Sequence, residues 1–333
     1  MTPEEILEKY FSKSARISIE EYKEGAINLT YHVTVEESGS ERYYKLQKMN
    51  SIFDVSLMKD IDFITKRLAS KKILTQEVVK TIEGKMFVKD SASWWRMLTY
   101  LPGKTFDAMP SPEHAREAGR LVGAFHTALI DCDYQFKFKL PHYHDVPHDM
   151  EKLRDALATG SNTPKYAKLK ELAESILFHY EKLPQSIALP KRIVHDDLKI
   201  TNILFADDGK AVALVDIDTF TYGALAVELG DALRSWSMPG GEDGENTHFD
   251  INLYNKALEG YYSAAKFLSE KEKNSIPYGV KLMALDLAAR FATDALNESY
   301  FKLDFSKYKN LFEQNKKRAE NQLAFFKEFS KSF

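Results

Sequence analysis

Apolar and polar positions divide the chain into a strand-like front and a helical remainder. Within 29–36, Tyr31, Val33 and Val35 alternate with His32, Thr34 and Glu36, the period of a strand with one face buried. Similar runs at 15–22 and 42–48 predict a three-stranded meander, with turns at 23–28 and 37–40. Thr2, Pro3, Glu4 and Glu5 carry capping signals for a short helix over 2–12. Over 54–69 the period lengthens, placing Val55, Met58, Ile61, Ile64 and Leu68 on one helical stripe. Strands are expected again at 77–82, 85–89 and 94–101, the last closed by Pro102-Gly103.

Beyond residue 102 the pattern is mainly helical. Helices are expected over 112–130, 166–183, 224–236, 248–267, 270–298 and 305–331. One interruption stands out. The apolar runs Ile193-Val194 and Ile203-Leu204-Phe205 bracket a polar loop, and the Asp208-Gly209 turn leads into a returning strand over 211–215. The expectation is an α+β, two-lobed chain, with residues 1–101 as a β-rich N-lobe and 102–333 as a mainly helical C-lobe.

Composition narrows the function classes. The 333 residues are 44% hydrophobic and 29% charged, enough for a large core. Lys and Arg number 46 against 49 Asp and Glu, a net charge of −3, which gives no bulk attraction for nucleic acid or an anionic membrane. Cys132 stands alone, so no internal disulfide forms, and a reducing, cytoplasmic setting fits. The acidic N-terminus lacks the apolar run of a signal peptide, and no stretch is long enough to span a bilayer. A monomer or weak dimer is expected.

The polar loop carries the chemistry. His195, Asp197 and Asn202 have the His-x-Asp-x-x-x-x-Asn spacing of a kinase catalytic loop, and Asp216 ends the following strand. The hairpin delivers Asp197, Asn202 and Asp216 to one end, where they can converge on a metal. Asn202 and Asp216 offer the oxygens that Mg2+ prefers, and Asp218 is a third candidate. Asp197 is the expected base for an acceptor hydroxyl, and Lys199 the expected cation for the phosphoryl group. His195 is expected to pack and fix the loop.

A kinase also needs a cation for the α/β-phosphates. On 42–48, Lys45 and Gln47 share one face while Leu46 and Lys48 share the other, so the pattern leaves the choice of lysine open. Gln47 and Lys48 are the expected nucleotide contacts there, with Thr99 and Leu101 at the hinge. Asp54, Asp60 and Asp62 are candidate partners for the phosphate cation. His126 reads as a satisfied core residue. His142, His144 and His148 lack the spacing of a zinc site. The run Pro239-Gly240-Gly241-Glu242-Asp243-Gly244 reads as a flexible acidic lid.

Val194-His195-Asp196-Asp197-Leu198-Lys199 and Asp216-Ile217-Asp218-Thr219 resemble the aminoglycoside phosphotransferase and choline kinase superfamily, and within it the N-acetylhexosamine 1-kinase group. Gly25-Ala26-Ile27-Asn28, Tyr44-Lys45-Leu46-Gln47-Lys48, Gly230-Asp231-Ala232-Leu233-Arg234 and Arg290-Phe291-Ala292-Thr293-Asp294 extend that resemblance along the chain. It implies a protein-kinase-like fold, ATP and Mg2+ as cofactors, and a small-molecule acceptor. Asp197 would be the base, Asn202 and Asp216 metal ligands, and Asp231 a support for the loop. Arg290, Asp294 and Asn28 are the expected acceptor contacts; Arg290 and Asp294, four apart on one helix, share a face and can pair. The anomeric hydroxyl of an N-acetylhexosamine is the first expected acceptor. Departures at Ala26, Leu29 and Asp196 keep choline, an aminoglycoside or homoserine open as acceptors, while the intact Asp197, Asn202 and Asp216 argue against the alternative of a nucleotide-binding pseudokinase. A protein kinase is disfavoured, because Asp216-Ile217-Asp218 stands where Asp-Phe-Gly would be and no Ala-Pro-Glu follows.

Overall fold

The structure is a computed structural model and describes residues 1–22, 27–37, 39–91, 93–160, 163–184, 188–245 and 248–333. Most of the expected turn at 23–28, with Gly25 and Ala26, lies outside the described residues, as does Ser38.

The N-terminal region opens with α1 (Pro3–Leu7), then β1 (Arg16–Tyr22), β2 (Leu29–Glu37) and β3 (Ser40–Met49). Thr2 and Glu5 form a capping box on α1, but the helix ends well short of residue 12. Next come α2 (Leu57–Ser70), β4 (Val78–Val79), β5 (Val88–Asp90) and β6 (Ser93–Thr99). The sheet runs β1-β2-β3-β6-β4, with β5 also pairing β6, and its named pairings are antiparallel. One face buries Val33, Val35, Leu46, Trp95 and Met97 against Ile6 and Leu7 of α1. The alternation in the sequence therefore has a local cause: every second residue of β2 and β3 faces that cluster.

The C-terminal region holds α3 (Pro112–Leu129), α4 (Val146–Gly160), α5 (Pro164–Lys182), β7 (Lys191–Val194), β8 (Ile203–Phe205), β9 (Ala211–Leu214), β10 (Thr221–Ala224), α6 (Leu225–Trp236), α7 (Ile251–Ala264), α8 (Glu270–Asn297) and α9 (Leu311–Ser332). β8 pairs β9, and β7 pairs β10, giving two small antiparallel ribbons among the helices. Helix α4 and strand β10 carry no strong local pattern and were not expected. The expected helix over 305–331 starts only at Leu311, because Asn310 caps it. Among the described residues, no helix is long and apolar enough to cross a membrane.

Two glycines set the spacing behind the site. A Cβ on Gly230 would lie 2.3 Å from the Gly279 carbonyl carbon, and one on Gly279 would lie 1.6 Å from the Ala226 carbonyl oxygen. Helices α6 and α8 thus touch backbone to backbone, which brings Asp231 of α6 near Asp286 and Arg290 of α8.

Candidate active site

The loop between β7 and β8 is held from behind by a buried carboxylate. Glu228 Oε1 accepts the backbone N–H groups of His195 (2.6 Å) and Asp196 (2.9 Å). Its other oxygen meets His126 Nε2 at 2.6 Å, and His126 Nδ1 meets the Tyr261 hydroxyl at 2.9 Å. Burial pushes the Glu228 carboxyl up, but His126 and the loop amides outweigh it and hold the pKa below the ordinary value. Three further bonds fix the loop: His195 Nε2 to the Val215 carbonyl (3.0 Å), Thr219 Oγ1 to the His195 carbonyl (2.7 Å) and Trp236 Nε1 to the Leu198 carbonyl (2.8 Å). His195 is fully buried and His126 is a satisfied core residue, each in the structural part expected of it. Loop support comes from Glu228 rather than Asp231, whose Oδ1 accepts from Arg234 at 3.0 and 3.1 Å. Glu228 was missed because it sits in an apolar helical run with nothing in the spacing to mark it.

On this frame Asp197 Oδ2 accepts from Lys199 Nζ (2.9 Å) and Asn202 Nδ2 (2.8 Å). Among the described residues Oδ1 has no protein donor, so one carboxylate oxygen is left for another partner. Asn202 Nδ2 also binds the Asp197 carbonyl at 2.9 Å, which turns the amide oxygen away from Asp197. Asp216 has no hydrogen-bond or ion-pair partner among the described residues. Burial alone would raise its pKa, yet Lys199, Lys45, His195 and Arg96 hold it low, so it stays ionised. Asp196 and Asp216 adopt left-handed backbone at φ 69° and 64°. Asp tolerates that region better than most residues, and such conformations cluster at functional sites. An unpartnered carboxylate beside a free amide oxygen is a donor set that fits a hard divalent cation.

Three expectations on the nucleotide side are corrected. Lys45 of β3 faces the cleft, with Asp216, Asp218 and Arg96 around it. Burial lowers its ammonium pKa, partly countered by Asp216. Lys48 lies on the opposite face, 5.7 Å from the Trp95 ring, because strand residues three apart point opposite ways. It is Lys45, not Lys48, that can reach a phosphate. Gln47 shares the cleft face but is buried: Oε1 accepts from Arg96 at 3.0 and 2.7 Å, and Nε2 donates to Thr30. Thr99 is likewise occupied, its Oγ1 accepting from the Glu77 amide at 2.9 Å. Leu101 follows the end of β6, where Lys104 bridges to Phe205 beside the catalytic hairpin.

Asp218 is not a free metal ligand. Its two oxygens form a fork with Arg96 at 2.5 and 2.8 Å, and Asn28 Nδ2 donates to it at 3.3 Å. Asn28 therefore ties the first hairpin to the loop after β9. None of the three acidic candidates of 54–69 pairs a phosphate cation. Asp54 accepts from Ser56, Asp62 binds Lys66, and buried Asp60 accepts Lys137 N, Phe138 N and the Tyr134 hydroxyl.

A second cluster faces Asp197 from the helical side. His144, in a turn with φ 51°, holds Asp196 at 3.0 Å through Nδ1. Burial opposes charge on this imidazole, but Asp196 overrides it and carries the pKa up to about 9. Tyr143 stacks on His144 at 4.4 Å and lies near Asp197, Asp231 and Arg290. Arg290 stands among Asp286, Tyr300, Tyr143 and Asp149. The expected Arg290–Asp294 pair does not form. Asp294 is buried and turned the other way, accepting Ser299 N, Tyr300 N, Phe301 N and Asn315 Nδ2 at 2.8–3.0 Å, so it organises the turn after α8. Nor is 239–244 a free lid: Asp243 takes two bonds from Arg318 (2.6 and 2.8 Å), and Asn321 binds the Glu242 and Gly244 carbonyls. Among the described residues no group of three His, Cys, Asp or Glu is placed to hold a metal.

Known proteins share the fold. The family model described as "Phosphotransferase enzyme family" matches residues 18–266. Choline kinase B2 of Caenorhabditis elegans is 26% identical over 157 residues, 43% of this chain and 42% of that protein, so the match spans about two fifths of the relative's length. An aminoglycoside phosphotransferase from Alicyclobacillus acidocaldarius superposes with a TM-score of 0.67 at 15% identity, covering 100% of this chain and 96% of that one. An amicoumacin kinase in complex with AMP-PNP and Ca2+ superposes at 0.59 and 16% identity, covering 91% and 88%. The likeness to these structures shows the protein-kinase-like fold, with a β-sheet N-terminal region and a helical C-terminal region. With three quarters of its length inside the family model, the chain belongs to the phosphotransferase enzyme family.

Proposed function

We propose that this protein transfers the γ-phosphoryl group of ATP to a hydroxyl of a small, uncharged acceptor, first of all the anomeric hydroxyl of an N-acetylhexosamine. The observation that carries phosphoryl transfer is the trio Asp197, Lys199 and Asn202, with one Asp197 oxygen bonded to both and the other without a protein donor. That second oxygen orients the acceptor hydroxyl and takes its proton as the loose transition state forms. Lys199 contacts Asp197 and feels the field of Asp216; together they hold it charged against burial, and it offsets charge on the moving phosphoryl. Lys45 binds the α/β-phosphates. Asn202 and Asp216 would hold Mg2+, which supplies charge neutralisation on the phosphates when bound. The nucleotide lies between residues 1–101 and 102–333, with its base against the 99–103 hinge.

The acceptor class follows from charge. Asp149, Asp196, Asp231 and Asp286 face His144, Arg234 and Arg290, four carboxylates against three cations. Burial pushes Asp286 up to about 7, so it is only half-ionised at neutral pH. The cluster is close to neutral overall and rich in donors and acceptors, which suits hydroxyls better than a fixed cation. A second reading, an amino-alcohol acceptor, is favoured by the match to a choline kinase.

ADP release with ATP and Mg2+ across N-acetylglucosamine, N-acetylgalactosamine, glucose, choline, homoserine and an aminoglycoside decides between them. Sugar-dependent release, lost in Asp197→Asn with ATP binding retained, is the expected result. Release with choline or the aminoglycoside alone defeats the sugar reading, and full activity in Asp197→Asn defeats the base.

A further inference from the structure

We propose that Asp286, midway along α8, selects the acceptor by receiving hydrogen bonds from hydroxyls of a neutral polyol bridged to the Arg290 guanidinium. The inference rests on the small-molecule kinase reading and deepens it, assigning acceptor recognition to a residue that the sequence motifs pass over.

Asp286 is completely buried, and neither carboxylate oxygen has a hydrogen-bond partner. A buried carboxyl without a donor costs free energy that a fold keeps only where something else satisfies it. The obvious internal partner is Arg290, one turn further along the same helix face. Yet no ion pair joins the two among the described residues. Arg290 instead lies over the Tyr300 ring at 5.7 Å and reaches the Tyr300 hydroxyl at 3.5 Å. A carboxylate and a guanidinium are thus held near each other without contact. One hydroxyl can serve both groups: its hydrogen goes to Asp286 and its oxygen accepts from Arg290.

The groups facing Asp286 come from several elements. Arg290 belongs to α8, Asp149 to α4, His144 to the 141–145 turn and Asp231 to α6, while Tyr180 of α5 also lies within its field. Two cations in this set disfavour an ammonium ligand, which would sit beside Arg290 and His144. The same cluster runs through His144 to Asp196, next to Asp197, so a ligand seated on Asp286 abuts the catalytic loop. Burial sets the Asp286 carboxyl near 7, which makes acceptor binding respond to pH in the neutral range.

Asp286→Asn, Asp286→Glu and the wild type, each as the full chain, test this with N-acetylglucosamine, glucose and choline as probes at saturating ATP. For the sugar that the wild type uses, Asp286→Asn should raise KM roughly 10-fold to 100-fold, the loss of a hydrogen bond to a charged group. kcat should move much less, and the KM for ATP not at all. The wild-type rise of kcat/KM near pH 7 should flatten in Asp286→Asn and persist in Asp286→Glu. A purely structural role predicts a lower melting temperature with acceptor KM unchanged, and that result overturns the proposal. So does choline turnover without sugar turnover. Failure of the wild type with every probe instead removes the kinase reading beneath it.

Discussion

Arg96 of β6 and Asp218, just beyond β9, form a two-pronged ion pair at 2.5 and 2.8 Å, with both side chains almost fully buried. Gln47 caps the guanidinium from β3 and Asn28 reaches the carboxylate from the first hairpin. The pair therefore fastens the sheet, with Lys45, to the segment that carries Asp216.

Breaking this pair from one side leaves a buried charge alone. Arg96→Met should lower unfolding stability by about 3–5 kcal/mol, and Arg96→Met with Asp218→Leu by less, since isolated buried charge costs more than a buried apolar pair. Chemical denaturation of the two variants checks this. Equal losses would show that the pair does not join the two regions.

Lys45→Met and Lys48→Met separate the two faces of β3. We expect Lys45→Met to raise the KM for ATP roughly tenfold or more, the effect of losing a charged hydrogen bond to phosphate. Lys48→Met should leave ATP kinetics within about twofold, since its side chain is turned to Trp95. Nucleotide titrations of both variants give the answer, and a reversed order would put the nucleotide on the other face.

Glu228 reaches no substrate position but holds two amides of the catalytic loop. Glu228→Ala should lower kcat by roughly 100-fold with acceptor KM nearly unchanged, because a loop displaced by about 1 Å misaligns the base. Glu228→Gln keeps the shape and one acceptor oxygen, and should fall between Ala and the wild type. A rise in KM with kcat intact would place Glu228 in binding instead.

The His144–Asp196 pair has a pH signature. An unfolded histidine titrates near 6.5 and His144 in the fold at about 9, so its stabilisation is complete below pH 6.5 and fades as pH rises through 9. The melting-temperature loss in His144→Gln should be largest near pH 6, and should shrink toward pH 10. Melting curves across that range measure it. A loss that grows with pH would mean the imidazole is neutral in the fold.

Much of the site was legible because it is local. His195, Asp197, Asn202 and Asp216 lie within 22 residues on one hairpin, so spacing alone brings them together. The period-2 pattern of β2 and β3 likewise needs no distant partner. It narrowed the cation to Lys45 or Lys48, on opposite faces, but could not say which face meets the cleft. That depends on α1 covering the other side.

The sequence by itself determined most of the order of elements, α4 and β10 excepted, and the hairpin that brings Asp197, Asn202 and Asp216 together. Tertiary structure alone decided which charges are free. Asp218 and Asp294 look like ligands until Arg96 and the 299–301 amides are seen to occupy them. Glu228 and Asp286 look like ordinary helix residues until helix packing buries them, one fully bonded and one with no donor at all. The reason is physical: a carboxylate's role depends on which donors lie within about 3 Å, and those donors come from as near as five residues away, for Asp294, to as far as 190, for Asp218.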